Sequence, residues 1–142
     1  MKYILVFFLL LPFLAGAQSK TDIARWQETS KRVNIIRDKW GIPHVYGKSD
    51  ADCVFGLLYA QCEDDFQRVE MNYITMLGRT SEINGEQSIY EDLLVKMVID
   101  SAASVKDYEA SPDWMKKLLN AFADGVNDYL YKNPKVKPAL LR

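Results

Sequence analysis

The sequence holds one histidine, His44, two cysteines, Cys53 and Cys62, and seven glycines in 142 residues, which is little from which to assemble a reactive centre. Any Ser-His-Asp or Cys-His arrangement has to use His44. That residue stands between Pro43 and Val45 at the start of a predicted strand, and nothing in the sequence supplies its paired nucleophile. We therefore read it as a structural histidine that hydrogen-bonds the adjoining turn. Gly78 and Gly85 do not make a phosphate loop, and neither G-x-S-x-G nor H-E-x-x-H occurs. Neither sign of charge dominates: 18 basic side chains stand against 19 acidic ones with no basic stripe, which argues against nucleic acid and anionic membrane as partners. There is no internal repeat and no low-complexity tract.

The two cysteines invite a disulfide, and helical phase rejects it. Both fall in one predicted helix, where nine residues rise about 13.5 Å, whereas bridged Cα atoms lie within about 7 Å. Each is expected to pack as a small apolar side chain.

Met1-Lys2, the apolar run from Tyr3 to Leu14 and the small residues Ala15-Gly16-Ala17 have the form of a secretory signal peptide. A membrane span wants about 20 apolar residues, and this run is shorter. No Cys follows the small residues, so lipid attachment there is not expected. The expected organisation is thus a leader over residues 1–17, cut after Ala17 to expose Gln18, and one modest unit over residues 18–142, secreted or periplasmic and free of the membrane after cleavage.

Within that unit a polar lead-in precedes Val33-Asn34-Ile35-Ile36, a strand, and Trp40-Gly41-Ile42-Pro43, a turn, leads to a second strand at His44-Val45-Tyr46. Ser49 with Asp52 three residues on predicts the start of a long helix. Val54, Leu58, Cys62, Phe66, Val69, Tyr73 and Leu77 form its inner stripe, Gly78 is its C-terminal cap, and a bend is expected near Gly56. Ser88-Ile89-Tyr90-Glu91 reads as a capping box opening a second helix that continues through Val105 and ends before Tyr108. Ser111 as cap and Pro112 at the first helical position open a third, with Met115, Leu118, Leu119, Phe122, Val126, Tyr129 and Leu130 on one face until Asn133-Pro134. Trp114, Phe122 and Tyr129 have core spacing there. The expected fold class is α+β: a short hairpin followed by three amphipathic helices. Two strands make no stable layer by themselves, and the apolar faces ask for a partner layer outside these residues.

Glu63, Asp64, Asp65 and Glu70 are the remaining cluster that could hold a metal. Successive helical residues point about 100° apart, so the first three do not converge on one ion, and EF-hand spacing is absent. They are read as an outer, salt-bridged face with an Asp64–Arg68 pair, on which loss of Asp65 should be nearly neutral. We assign no catalytic, cofactor-binding or metal-ligating residue within the chain.

Four stretches go further. Ile36-Arg37-Asp38-Lys39-Trp40-Gly41-Ile42-Pro43-His44-Val45-Tyr46 closely resembles the R-D-x-x-G-(I/V/M)-P-H strand–turn–strand of the penicillin acylase family, and Phe55-Gly56-Leu57-Leu58-Tyr59-Ala60-Gln61-Cys62-Glu63-Asp64 its G-x-x-x-A-Q-x-E-D helix. Gln67 to Glu70 with Leu77-Gly78-Arg79-Thr80-Ser81-Glu82 is similar to the segment ending in G-R-x-(A/S)-E, and Ala123-Asp124-Gly125-Val126-Asn127 to A-D-G-x-N. The resemblance covers nearly all of residues 18–142 in order. It departs at Asp65, where the family commonly has Arg, and at the two cysteines, where small residues are common.

The resemblance implies part of an exported N-terminal-nucleophile hydrolase of αββα architecture that cuts linear amides, with acyl side chains of β-lactams, acyl-homoserine lactones or acylated peptides as candidate substrates. Such enzymes mature from a zymogen precursor into an α and a β chain. The residue that opens the β chain is the nucleophile, its α-amine the base, and β-chain donors hold the oxyanion. The partners implied are the rest of the α chain and the β chain. Calcium is possible in the complete enzyme, on an α-chain ligand beyond Arg142. By this reading residues 18–142 are scaffold, inactive alone. The alternative is a free-standing exported helical binding module, whose stripes would close on one another, or a degenerate remnant.

Overall fold

A computed structural model describes residues 20–140, so the leader expected over residues 1–17 lies outside the described residues. The described elements begin with helix α1, Lys20–Ser30, where the sequence reads only as a polar lead-in. Its one buried side chain is Trp26. Strand β1, Asn34–Arg37, pairs antiparallel with β2, Pro43–Tyr46, in a register that sets Ile35 opposite Val45 and Ile36 opposite His44. The expected hairpin is therefore present, preceded by a helix.

Helix α2, Asp50–Met76, starts where Ser49 Oγ accepts the Asp52 N–H at 3.2 Å. Gly56 is buried against the hairpin: a Cβ there would lie 2.6 Å from methyls of both Val33 and Val45. The expected bend near Gly56 is absent, and the interruption is at Asp65, with φ −159° and ψ 79°. Asp65 Oδ1 accepts the Arg68 N–H at 3.1 Å, so this residue caps the second half of the helix. At the far end Gly78 has φ +60°, Arg79 N–H reaches Ile74 C=O and Gly78 N–H reaches Thr75 C=O, the pairing that closes a helix on a left-handed glycine.

A single turn of helix, α3, Ser81–Asn84, and a 3₁₀ turn, Glu86–Ser88, lead to α4, Ile89–Val98. The expected second helix is in fact two. Extended backbone at Ile99 and Asp100 interrupts it, and the Asp100 carboxylate accepts the N–H groups of Ala102 and Ala103 to start α5, Ser101–Ala110. Nor does the side chain of Ser88 cap α4. Likewise Ser111 does not open the last helix: its hydroxyl donates to Asp107 C=O on α5, and Pro112 is the cap residue of α6, Asp113–Lys132.

The most extensive packing is α2 against α6. Its buried face on α6 is Ala121, Gly125, Asp128 and Tyr129; of the expected apolar row, Tyr129 enters the core with Val126 and Leu130 packed against it, whereas Leu119 and Phe122 stay exposed. Small side chains let the backbones approach, and a Cβ on Gly125 would run into Phe55 C=O. Two cores result along α2: Trp26, Phe55 and Ala121 near its start, and Cys62, Phe66 and Tyr129 near its middle. Trp114, expected in the core, is exposed. So is most of α4, where Tyr90, Leu93, Leu94, Met97 and Val98 are more than half exposed.

Candidate functional site: where the motif residues meet

The first two motifs come together at Arg37. From the end of β1 its guanidinium donates to Gly41 C=O at 3.0 Å and to Glu63 Oε2 at 3.1 Å, and lies 2.8 Å from Asp64 Oδ1. The acidic pair of α2 thus faces the hairpin. The expected Asp64–Arg68 pair does not form, and Arg68 bonds Asp65 instead. The two carboxylates also keep the Arg37 charge in place, holding its pKa above the ordinary arginine value, with the Glu63 hydrogen bond the largest cause.

Asp38 organises the turn. Its Oδ1 accepts the N–H groups of Trp40 and Ile42, and Gly41 takes φ +82°, which favours glycine. These backbone donors, Ile42 foremost, hold the Asp38 carboxyl below the usual carboxylate range. His44 Nε2 lies 3.5 Å from Asp38 Oδ2, a weak contact on a half-exposed ring. The histidine therefore joins its own turn.

The third and fourth motifs are equally occupied. Arg79 forms a two-point ion pair with Glu82 at 2.6 and 2.7 Å. Buried Asp92 on α4 accepts the N–H groups of Thr80 and Ser81, and Gly78 passes so close to the Asp92 backbone that a Cβ would meet its carbonyl at 2.9 Å. Asp124 of α6 takes two hydrogen bonds from Arg25 and one from the Trp26 indole, tying α1 to α6. Buried Asp52 accepts from Arg32 at 2.8 Å and ties the end of α1 to the start of α2. Sequence reasoning missed Asp52 and Asp92 as anchors, because a carboxylate looks solvent-facing until its donor, 20 or 12 residues away, is known.

Glu70 is a correction of the same kind. Expected on the outer face, it is buried and accepts backbone N–H groups from Ala139 and Leu140. As to nucleophiles, both cysteines are free thiols, and burial pushes the Cys62 thiol up to about 11, so little thiolate exists near neutral pH. Ser30 Oγ does meet an amine, Lys132 Nζ, at 2.8 Å. That amine also bonds buried Asp128 at 2.7 Å and lies over the Tyr59 ring, so it is held between α6 and α2. The arrangement holds a hairpin and the helices in register.

Residues 32–141 match the penicillin amidase family, and the chain belongs to it. It is similar to the penicillin acylase 2 proenzyme of Pseudomonas sp. (strain SE83), 31% identical over 120 residues, covering 84% of this chain and 15% of that protein. An acyl-homoserine lactone acylase, QuiP, of Pseudomonas fluorescens (strain Pf-5) is 26% identical over 131 residues, covering 92% of this chain and 16% of that one. Among solved structures it superposes on a thermostable penicillin G acylase from Alcaligenes faecalis with a TM-score of 0.67 and 25% identity, covering 78% of this chain and 58% of that chain. The chain thus spans only 15% and 16% of the length of these two curated relatives.

Proposed function

We propose that this chain is scaffold within an exported amide hydrolase of the N-terminal-nucleophile type, acting on a linear amide such as an acylated β-lactam, homoserine lactone or peptide. The observation that carries the reading is that the family-motif side chains are committed to one another: Arg37 to Glu63 and Asp64, Arg79 to Glu82, Asp124 to Arg25 and Trp26. Groups spent on holding elements together are not free to attack an amide. The nucleophile, its amine base and the oxyanion donors are then supplied by the β chain of the same precursor, with calcium, if used, bound elsewhere in the complete enzyme.

Two further facts support an incomplete layer over a self-contained binding module. A module would close its apolar stripes on each other, whereas α4 leaves Leu94 and Met97 62% and 84% exposed. And alignments over 84% and 78% of this chain fill 15% of a curated relative but 58% of a solved chain, as they would if the solved chain were one product of a cut precursor. Export rests on the leader-like first residues.

The test is hydrolysis of a chromogenic acyl-amide. Purified residues 18–142 should show none, and co-expression with the rest of the precursor, including a β chain beginning in Ser, should restore it. Hydrolysis by residues 18–142 alone, abolished by changing His44, Cys53, Cys62 or Ser30, would overturn the reading.

A further inference from the structure

The Glu70 carboxylate is buried on α2, yet both its oxygens are used by residues about seventy positions away. Oε2 accepts the N–H of Ala139 and Oε1 that of Leu140, each at 2.9 Å. Successive N–H groups of an extended chain point to opposite sides, so two of them converge on one anion only where the backbone bends. Residues 139 and 140 form such a bend. The segment that ends there, residues 134–140, runs along an apolar groove of about 610 Å³ between Phe66 and Tyr73 of α2 and Val126 and Leu130 of α6, and its own Val136 and Pro138 form part of the wall.

We infer that Glu70 is the catch of a strap: its carboxylate pins residues 134–140 along the groove between α2 and α6 and so sets the direction in which the backbone leaves α6. The contact is suited to a carboxylate and to nothing neutral of the same shape. Glutamine has one acceptor oxygen and would turn an N–H₂ toward the second backbone donor. Bonds to an ionised acceptor are also the stronger kind. Besides the catch, the strap has a turn in which Val136 N–H donates to Asn133 C=O and the packing of Val136 on the second core, both nearer α6. Release at Glu70 would therefore free the outer end first. The inference rests on contacts within this chain and not on the hydrolase reading.

The test uses the full-length protein that carries this chain and compares wild type with Glu70→Gln, Ala139→Pro and the double variant. Ala139→Pro removes one of the two donors at an exposed position and leaves the core untouched. The strap offers trypsin the exposed Lys135–Val136 bond, and its cleavage is followed by mass spectrometry together with amide exchange in α2 and α6. Each single variant should be cut there about tenfold faster, the loss expected for a charged hydrogen bond, with exchange in the two helices unchanged. The double variant should be cut no more than about twice as fast as the faster single, because both changes break one contact. Should Glu70→Gln fail to fold, Ala139→Pro decides alone. Unchanged cleavage in Ala139→Pro, or cleavage that rises only in step with exchange in α2 and α6, overturns the inference.

Discussion

At the scale of the residue, carboxylates that look alike in sequence do different work. Asp65 and Phe66 are adjacent, one exposed and one in the core, and phase alone makes the first dispensable. The structure makes it a cap on the Arg68 N–H, so Asp65→Ala should cost about 1 kcal/mol where phase gives nearly zero, against about 3 to 5 for Phe66→Ala. Denaturant unfolding of the complete protein measures both, and a neutral Asp65→Ala would remove the cap from the account. Asp52 carries a pH dependence. Arg32, the largest cause, holds its carboxyl below the ordinary value, so its stabilisation is present above the unfolded pKa of about 3.9 and is lost as pH falls through the lower folded pKa. Asp52→Asn should therefore destabilise at neutral pH and flatten the acid limb of the stability curve. An acid limb of unchanged steepness would assign that sensitivity to other groups.

Among the elements, local signals act as their chemistry predicts where they stand alone and give way where two compete. Ser49 and Gly78 bound α2 as their chemistry requires. Ser88 and Ser111 have the same chemistry but lose their cap roles, Ser88 to a 3₁₀ turn and Ser111 to a bond with Asp107. Asp100, inside a continuous apolar phase, splits one expected helix into α4 and α5, because its carboxylate offers two N–H groups a better partner than continuation of the helix does. These two helices have little cover: every residue of α5 is exposed. In residues 18–142 alone, amide exchange in α4 and α5 should thus outpace that in α2 and α6 by orders of magnitude, and should slow in the full-length protein if a partner layer covers them. Equal protection in both settings would mean that α4 needs no cover.

For the whole molecule, the exposed face of α4 and, among the described residues, a sheet of only two strands predict loose packing in isolation. Residues 18–142, heated with an apolar-surface dye, should bind the dye at room temperature and unfold over a broad range. A sharp transition without dye binding would end the idea of a missing layer. On the proposed hydrolase reading, His44→Ala in the full-length protein should lower folding yield more than turnover, since the ring meets Asp38 of its own turn. A loss of turnover in folded protein would give His44 a part in the chemistry.

The sequence by itself determined the hairpin, the ends of α2, the course of α6 and the family, because each rests on residues close together in the chain: Asp38 with Gly41, Ser49 with Asp52, Gly78 with Ile74. Helix α1 was not legible, since it has one buried residue, Trp26, and that indole is fixed by Asp124, 98 positions away. Only the tertiary structure decided which face of α6 is the core. The far half of the obvious stripe, Val126, Tyr129 and Leu130, meets the core, but Leu119 and Phe122 stay exposed, because close helix packing selects the small residues Ala121 and Gly125, where backbone can approach backbone. It also decided which acids are buried, for a carboxylate goes inside only when donors from distant segments meet it there, as Arg32 meets Asp52 and Ala139 and Leu140 meet Glu70.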